Sequence, residues 1–324
     1  MRILGIETSC DETSASVVKD GRDIFSNVIS SSLKDHQKYG GIIPEIASRR
    51  QLELIHAVVR QALKEAQLKL EEIDAVAVTK SPGLIGSLLV GVSFARALAF
   101  ALKKPLIEVD HIKAHLYANF LVTQKQELPT LPAVGLVVSG GHSSLFHLKD
   151  FNHCVLLGQT RDDAAGEAYD KVARILGLGY PGGPILDRLA KEGVNKQIRF
   201  PSADLPDTFD FSFSGVKTAV LYHLKKNKAP DESSVKRIAY AFQESVVSVL
   251  VEKSIAACKK KKLKTLLIGG GVAANSALRQ KLQWRGREEE INIFFPPLSL
   301  CTDNAAMIAG LAYHLRGRRV DFFF

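Results

Sequence analysis

At the start of the chain, short segments rich in apolar residues are separated by polar segments, a pattern typical of short β-strands joined by polar turns. Residues 3–6 read Ile-Leu-Gly-Ile and residues 14–18 read Ser-Ala-Ser-Val-Val, with the polar segment 7–13 between them. A Lys-Asp-Gly turn and a third alternating stretch follow. The pattern predicts three consecutive strands between Arg2 and Val28.

A similar pattern begins at Ala133. Residues 133–138 predict a strand, residues 139–142 a polar turn, and residues 143–148 a second strand that ends at Lys149-Asp150. The repetition indicates an internal duplication. Residues 124–132 are polar and contain two prolines, which is typical of a boundary. We therefore predict an N-terminal lobe, 1–127, and a C-terminal lobe, 128–324, whose last helix, about 303–317, packs back toward the N-terminal lobe.

Helical periodicity follows each predicted hairpin. It covers residues 44–66, 84–102, 166–176, 185–191 and 234–259. Two short apolar runs, 73–78 and 263–268, each lead into a glycine-containing turn and then a helix. This order is typical of parallel α/β sheets, which bind ligands at the ends of their strands. The predicted fold class is α/β.

The apolar segment 84–102 is long enough to cross a membrane. Arg96 lies well inside it, however, and Gly86 and Gly91 would allow close packing against other elements. We predict a buried helix rather than a membrane span, and no membrane partner.

Composition indicates an ordinary globular protein with a basic surface. The chain has 324 residues, 46% hydrophobic and 24% charged, and a formal net charge of +9. That charge favours a polyanionic partner such as nucleic acid. The four cysteines form no C-x-x-C pair, which excludes a zinc ribbon and a disulfide framework. With no secretion leader before the first strand, we predict a cytoplasmic protein.

Two histidines four residues apart, His111 and His115, are candidate metal ligands. At this spacing both imidazoles lie on one face of a helix and can reach one ion. A zinc peptidase would carry glutamate after the first histidine, where this chain has Ile112, so that reading lacks its general base. The alternative is a chance pair. Asp303 is either the N-cap of the last helix or a third ligand, and two histidines plus a carboxylate leave positions open for substrate.

Two glycine-rich turns are candidate phosphate sites. Residues 269–275, Gly-Gly-Gly-Val-Ala-Ala-Asn, join a predicted strand to a helix, where free backbone amides and a positive helix end attract phosphate. The side chain of Asn275 would contact a base or a ribose. Residues 138–142 form the turn of the second hairpin and place His142 beside two glycines. In a duplicated hairpin fold such turns face an interdomain cleft. Plain tight turns are the alternative for both segments.

Two aspartates and three basic clusters have more ordinary alternatives. Asp170 and Asp187 could bind ribose hydroxyls, although capping is the common role of such residues. Basic residues cluster at 225, 226 and 228, at 259–262 with 264, and at 316, 318 and 319. Each cluster is either a solvated helix end or part of a phosphate-binding surface.

Taken together, these segments resemble one family, the bacterial tRNA threonylcarbamoyladenosine biosynthesis family TsaD, formerly called O-sialoglycoprotein endopeptidases. The matching segments, in chain order, are 5–13, 40–45, 83–88, the histidine pair, 138–142, 165–171, 180–184, 213–218, 269–275 and 301–304. They span essentially the whole chain.

The resemblance implies the actin-like ATPase fold of sugar kinases and 70-kilodalton chaperones, with two similar lobes and a cleft between them. It implies transfer of a threonylcarbamoyl group from threonylcarbamoyl-AMP to the exocyclic amine of adenosine 37 in tRNAs that read codons starting with A. The implied partners are tRNA, a TsaB-like paralogue and a TsaE-like P-loop ATPase, with no DNA. A metallopeptidase, a small-molecule kinase and a nucleotide-binding scaffold of the same fold are the alternatives.

The resemblance also implies roles for individual residues. One iron(II) or zinc ion per subunit would be held by His111, His115 and Asp303. The nucleotide-bearing substrate would be held by Val138, Ser139, Gly140, Gly141, His142, Asp170, Gly183, Asp187 and Asn275. In the first polar turn, Asp11 and Glu12 are our candidates for guiding the amine or accepting its proton.

Overall fold

The computed structural model describes residues 1–121, 127–193, 198–201, 205–226, 231–315, 317 and 319–320. Of the predicted features, residues 124–126 of the boundary and the basic residues Lys228, Arg316 and Arg318 lie outside this range. The chain forms two compact units. The first comprises residues 1–129, 151–153 and 296–324, and the second comprises residues 130–150 and 154–295. The division into lobes 1–127 and 128–324 stays a prediction, and the segment from Pro296 groups with the first unit.

The strands, in chain order, are β1 (Arg2–Glu7), β2 (Glu12–Lys19), β3 (Asp23–Ser31), β4 (Ala75–Ser81), β5 (Leu106–Asp110), β6 (Ala133–Val138), β7 (Ser143–Leu148), β8 (Cys154–Gln159), β9 (Thr265–Gly269), β10 (Asn292–Phe294) and β11 (Arg319–Val320). The helices are α1 (Leu33–Gln37), α2 (Pro44–Glu65), α3 (Ile85–Leu102), α4 (His111–Tyr117), α5 (Ala165–Ile175), α6 (Gly182–Glu192), α7 (Ser214–Lys226), α8 (Glu232–Lys261), α9 (Ser276–Glu288) and α10 (Ala305–Ala312).

The two units repeat one sheet topology, which confirms the predicted duplication. The first sheet has the order β11-β5-β4-β1-β2-β3 and the second the order β10-β9-β6-β7-β8. In each, an antiparallel meander comes first (β1-β2-β3 and β6-β7-β8), and a later strand pairs in parallel with its first member: β4 with β1, and β9 with β6. Parallel strands bring their carboxyl ends to one edge, where ligands bind in such folds.

The core of the first unit lies on both faces of β1 and β4. Leu4, Ile6 and Val76 are fully buried, and they belong to a cluster with the apolar face of α2. Helix α10 packs against β1 and β2, and each of its residues is buried. A Cβ atom on Gly5 would lie 2.4 Å from the carbonyl oxygen of Ala305, so only glycine allows α10 to approach β1 so closely. This packing brings the start of α10 to the strand edge of the first unit.

Helix α3 forms where it was predicted, but the prediction that it is a buried helix was wrong. Only its small residues Ser87, Gly91, Ala95 and Ala99 are buried. Several large apolar side chains are exposed, with Ile85 80% and Leu89 60% exposed, whereas Val90, Val92, Phe94 and Leu98 are partly buried against the core. Small residues at intervals of four give a narrow stripe that packs close to the sheet, and this leaves one face of an apolar helix outside.

By length and composition α3 is the one helix in the described ranges that could cross a membrane, and 22% of that stretch is buried within the protein. It packs instead against β4 and α2. Its internal charge, Arg96, forms an ion pair with Glu108 of β5 at 3.0 Å. These contacts make α3 part of the α/β layer of the first unit.

Candidate metal centre and glycine-loop site

Helix α4 carries both predicted histidine ligands one turn apart. Its N-cap is Asp110, the last residue of β5, whose carboxylate accepts a hydrogen bond from the backbone amide of Lys113 at 2.9 Å. Because α4 follows β5 directly, His111 and His115 lie at the carboxyl edge of the first sheet. Their rings are 4.6 Å apart between centroids, and both side chains are buried.

Asp303 joins the two histidines from the other end of the chain. Its carboxylate oxygen Oδ1 lies 3.1 Å from Nε2 of His115 and 3.5 Å from Nε2 of His111. The alternative role of Asp303 as N-cap of the last helix is wrong, because the capping residue of α10 is Asn304, which accepts a hydrogen bond from the amide of Met307 at 3.2 Å. The carboxylate of Asp303 faces the two histidines and does not cap the helix.

The three side chains fit a divalent metal ion. Each offers one ligand atom, and these atoms lie within 4.8 Å of one another. His115 is 1% exposed, yet neither of its ring nitrogens has a hydrogen-bond partner with acceptable geometry among the described residues. A buried imidazole without a partner is costly, and an ion bound at Nε2 would relieve that cost. Two imidazoles and a carboxylate suit both zinc and iron(II).

Glu7 lies behind His111, and the sequence analysis did not single it out. Its side chain is fully buried at the end of β1. It accepts hydrogen bonds from the hydroxyl of Thr79 at 2.6 Å and from Nδ1 of His111 at 2.9 Å. Burial lowers the pKa of His111, but the carboxylates of Glu7 and Asp303 outweigh it and raise that pKa to about 9. Without a metal, His111 is therefore protonated at neutral pH, so metal binding has to displace a proton.

Asp11 ends the turn between β1 and β2 and Glu12 begins β2, both close to this centre. Burial, and then the charges of Asp303 and Asp11, raise the pKa of Glu12 well above its ordinary value. The turn is held by Gln51 of α2, whose amide donates to the backbone carbonyls of Thr8, Cys10 and Glu12 at 3.3, 2.9 and 3.0 Å. A buried carboxyl with a raised pKa is a suitable proton acceptor.

In the second unit, the predicted glycine turns lie together at the carboxyl ends of β6 and β9. Gly270 has a φ of +92°, and a Cβ atom there would be 2.3 Å from the carbonyl oxygen of Val138. A Cβ atom on Gly166 would be 2.6 Å from the carbonyl oxygen of Ser139. The 269–275 loop and the start of α5 therefore both pack directly on the 138–142 turn.

Several backbone positions around these turns are open. A Cβ atom built on Gly140, Gly141, Gly183 or Gly271 would meet nothing within 4 Å. The 138–142 turn itself is closed by the amide of His142, which donates to Oγ of Ser139 at 3.1 Å. Open backbone beside the N-terminal ends of α5 and α6 is an arrangement that can receive a phosphate group.

Polar side chains tie the loops of the second unit to one another. Asp170 accepts hydrogen bonds from the amides of Gly182 and Gly183, and burial raises the pKa of Asp170. Asp187 accepts from the hydroxyl of Ser276 at 2.8 Å. These carboxylates connect α5 to the start of α6, and α6 to the start of α9.

Asn275 is the N-cap of α9. Its Oδ1 accepts from the amide of Leu278 at 2.9 Å, and its Nδ2 donates to Gln243 at 2.8 Å and to Tyr169 at 3.3 Å. Both ends of this amide are thus already engaged with the protein, and only 8% of the residue is exposed. The sequence offered no sign of this buried network, because Tyr169 and Gln243 lie far from Asn275 along the chain.

The structure thus groups the predicted residues in two sets. Asp11, Glu12, His111, His115 and Asp303 belong to the first unit. The second unit contains the nine residues predicted to hold the nucleotide-bearing substrate: Val138, Ser139, Gly140, Gly141, His142, Asp170, Gly183, Asp187 and Asn275. In the second set, the 138–142 turn lies at the carboxyl end of β6 and Asn275 follows β9, while Asp170, Gly183 and Asp187 lie on α5 and α6.

Comparisons with known proteins agree with the fold of the two sheets. At the level of fold, the chain is similar to component A of the (R)-2-hydroxyglutaryl-CoA dehydratase of Acidaminococcus fermentans, with a TM-score of 0.58, 16% identity, and coverage of 98% of this chain and 99% of that one. It is also similar to HypF of T. kodakarensis, with a TM-score of 0.64, 13% identity, and coverage of 98% of this chain and 48% of that one. These likenesses show the actin-like ATPase fold.

Sequence comparison is more specific. A family model described as TsaD, tRNA N6-adenosine threonylcarbamoyltransferase, matches residues 23–310. A relative with that same name in Clostridium botulinum (strain 657 / Type Ba4) is 52% identical over 325 residues, which covers 99% of this chain and 95% of the relative. The chain belongs to the TsaD family, the tRNA N6-adenosine threonylcarbamoyltransferases.

Proposed function

We propose that the protein transfers the threonylcarbamoyl group of threonylcarbamoyl-AMP to the exocyclic amine of adenosine 37 in tRNAs that read codons starting with A, and releases AMP. The observation that carries the proposal is the triad of His111, His115 and Asp303 in a chain of this family. Among the residues that the structure describes, buried His115 has no hydrogen-bond partner of acceptable geometry. The triad lacks the glutamate of a zinc peptidase, because Ile112 follows His111. Neither the metallopeptidase nor the small-molecule kinase alternative explains as well a His-His-Asp triad without that glutamate.

The metal-binding residues of the proposal are His111, His115 and Asp303, with iron(II) or zinc as the ion. When bound, the ion supplies a positive charge that polarises the threonylcarbamoyl group. A triad leaves coordination positions open for that group. The buried surroundings strengthen each electrostatic interaction with the substrate, because little water reaches the site.

The AMP part is proposed to lie on the loops of the second unit. Open backbone at Gly140, Gly141 and Gly183 leaves room for phosphate oxygens near backbone amides. Asp170 and Asp187 retain lone pairs that can accept hydrogen bonds from ribose hydroxyls. Val138, Ser139 and His142 form the turn that places these amides. Asn275, as the cap of α9, positions the 269–275 loop.

The chemical step needs positioning and a proton acceptor. The amine nitrogen of adenine forms a bond to the carbonyl carbon, the bond from that carbon to the phosphate oxygen breaks, and AMP leaves with the electron pair. The amine loses one proton, and Glu12, assisted by Asp11, is proposed to accept it. Adenine amines are weak nucleophiles, so orientation of the two reactants contributes much of the rate.

A TsaB-like paralogue is proposed to dock on the outward face of α3. Ile85 is 80% exposed, Leu89 60% and Phe100 53%, and Leu52 of the neighbouring α2 is 69% exposed. Large apolar side chains exposed together are typical of a protein interface. A TsaE-like P-loop ATPase is proposed as a further partner.

Basic residues are proposed to hold the tRNA backbone. Lys259, Lys260, Lys261, Lys262 and Lys264 are all exposed at the end of α8 and the start of β9. Sequence-independent phosphate contacts of this kind complement recognition of the unstacked anticodon loop. A tRNA substrate places the protein in the cytoplasm in this proposal.

The test is direct. The purified protein, alone and with the two partner proteins, is given threonylcarbamoyl-AMP and unmodified tRNA, and the tRNA nucleosides are analysed by mass spectrometry. We expect threonylcarbamoyladenosine in at least one combination. Its absence from every combination, with intact intermediate and tRNA, would refute the proposed reaction.

A further inference from the structure

Glu7 is a fully buried carboxylate beside a predicted metal ligand. Oε2 accepts hydrogen bonds from the hydroxyl of Thr79 at 2.6 Å and from Nδ1 of His111 at 2.9 Å, and Oε1 accepts one from the backbone amide of Ser9 at 2.5 Å. An ionised carboxylate only accepts hydrogen bonds, so the Nδ1 atom of His111 must carry the proton in this contact. Its Nε2 atom then turns toward Asp303, at 3.5 Å.

The charge of Glu7 is otherwise uncompensated. No lysine or arginine forms an ion pair with it in the described part of the chain, where its one charged partner is His111. A carboxylate taken out of water without a counter-charge is costly. Three hydrogen-bond donors, one of them the imidazole of His111, reduce this cost but supply no permanent positive charge.

We propose that Glu7 is a positioning residue for the metal ion: its carboxylate holds Nδ1 of His111 at 2.9 Å and thereby fixes the orientation of the ring. With Nδ1 of His111 protonated by contact with Glu7, Nε2 presents its lone pair to the ion. Glu7 itself does not coordinate the ion. The inference rests on the metal site of the proposed function.

The donors of Glu7 also tie the site to the sheet. Thr79 lies in β4 and Ser9 follows β1, and these two strands pair in parallel. Through Glu7, the imidazole of His111 is fixed to β1 and β4 as well as to its own helix, α4. A histidine fixed in ring position and in tautomer loses little freedom when it binds the ion, and this favours affinity.

Zinc affinity of the full-length protein tests the inference without reference to catalysis. Metal is removed with a chelator, and zinc is titrated back in competition with a chromophoric chelator. The variants are Glu7→Gln, which keeps an acceptor oxygen but removes the charge, and His111→Ala, which removes the ligand. The matched control is Glu108→Gln, which removes the same charge from β5, where Glu108 pairs with Lys80 and Arg96 and not with a ligand.

We expect Glu7→Gln to weaken zinc binding by about 10- to 100-fold. Glu108→Gln should stay within about twofold of the wild type. Zinc-loaded wild-type protein should show His111 protonated at Nδ1 in long-range ¹H–¹⁵N spectra. If Glu7→Gln does not fold, Thr79→Val takes its place. That variant removes one hydrogen-bond donor to Glu7 and keeps the carboxylate. Its zinc affinity should fall by a smaller factor than that expected for Glu7→Gln.

One result would overturn the role of Glu7 and leave the metal site intact. In it, Glu7→Gln, or Thr79→Val if that variant is needed, binds zinc with wild-type affinity, while His111→Ala binds zinc more weakly. Unchanged affinity in His111→Ala as well would show that zinc binds elsewhere, and it would overturn both the inference and the proposed metal site. Protonation of zinc-loaded His111 at Nε2 would also overturn the inference.

Discussion

Nε2 of His115 and Oδ1 of Asp303 lie 3.1 Å apart, without the geometry of a hydrogen bond. One residue comes from α4 and the other from the segment that precedes α10. The contact depends on the close packing of α10 over β1, which Gly5 allows. Two ligand atoms that face each other without bonding are arranged as they would be around a shared ion.

Replacing a ligand tests the site first. His111→Ala should lower threonylcarbamoyl transfer by about 100-fold or more and remove the bound metal, because the remaining histidine and aspartate hold an ion poorly. Transfer is measured by nucleoside analysis and metal content by mass spectrometry. His56→Ala is the matched control, since His56 is exposed on α2. Wild-type transfer and metal content in His111→Ala would contradict the assignment.

The raised pKa of Glu12 predicts a stability effect of defined sign. An ordinary glutamate has a pKa near 4.5, and burial beside Asp303 and Asp11 raises that of Glu12. The folded state therefore binds the proton more tightly than the unfolded state does, and wild-type stability is lost as pH rises from about 4.5 through the raised pKa.

Glu12→Gln removes this ionisation. In metal-free protein it should be more stable than the wild type at pH 8, and the difference should shrink as pH falls toward 4. Urea unfolding across that range measures it, and transfer activity should fall in the same variant. A stability difference independent of pH would contradict the raised pKa, while unchanged transfer would contradict the role of Glu12 as proton acceptor.

Substitution of two adjacent glycines, Gly270 and Gly271, distinguishes the effect of backbone strain from the effect of an added side chain in open space. Gly270→Ala places a Cβ atom 2.3 Å from the carbonyl oxygen of Val138 at a φ of +92°, and should cost about 2 kcal/mol or more. Gly271→Ala is the control, because its Cβ atom would meet nothing within 4 Å. Tm and binding of threonylcarbamoyl-AMP should both fall in the first variant, and Tm should hold in the second. Equal Tm values would contradict the packing described here.

The outward face of α3 predicts a separable binding defect. Leu89→Asp should change the free energy of unfolding by less than about 0.5 kcal/mol, because Leu89 is 60% exposed. It should weaken association with the TsaB-like partner at least about tenfold, since a charge replaces apolar contact area. Val155→Asp is the control, at a site on β8 that is 50% exposed. Equal weakening by both variants, or by neither, would contradict the docking surface on α3.

The sequence predicted the parts of the fold that depend on local pattern. Short strand-like segments on either side of the polar turn 139–142 located β6 and β7 at residues 133–138 and 143–148, where the structure has them. The elements it missed include β5, β8 and α7. Strand β8 has exposed apolar residues, Val155 and Leu156, so it lacks the alternation of a half-buried strand.

The site was predictable where residue type and spacing carry the chemistry. The two histidines were recognised as a ligand pair because their spacing matches one helix turn. Asp303 was recognised as a third candidate ligand because it is a carboxylate. The cap role considered for Asp303 and the burial predicted for α3 were both wrong for the same reason. Which residue caps a helix, and which helix faces are buried, depend on tertiary packing. Asn304 competes for the cap, and the sheet covers only one side of α3. Glu7 was missed because its partners, Thr79 and His111, are distant in sequence.

The central claim is that the triad serves acyl transfer to tRNA. The most direct measurement is a single-turnover reaction of the metal-loaded protein and its partners with unmodified tRNA and threonylcarbamoyl-AMP labelled in the carbamoyl carbon. The account predicts label in threonylcarbamoyladenosine of the wild type, and its near absence in Asp303→Asn that still folds and binds tRNA. Transfer at the wild-type rate by Asp303→Asn, or no label in tRNA with any protein, would contradict it.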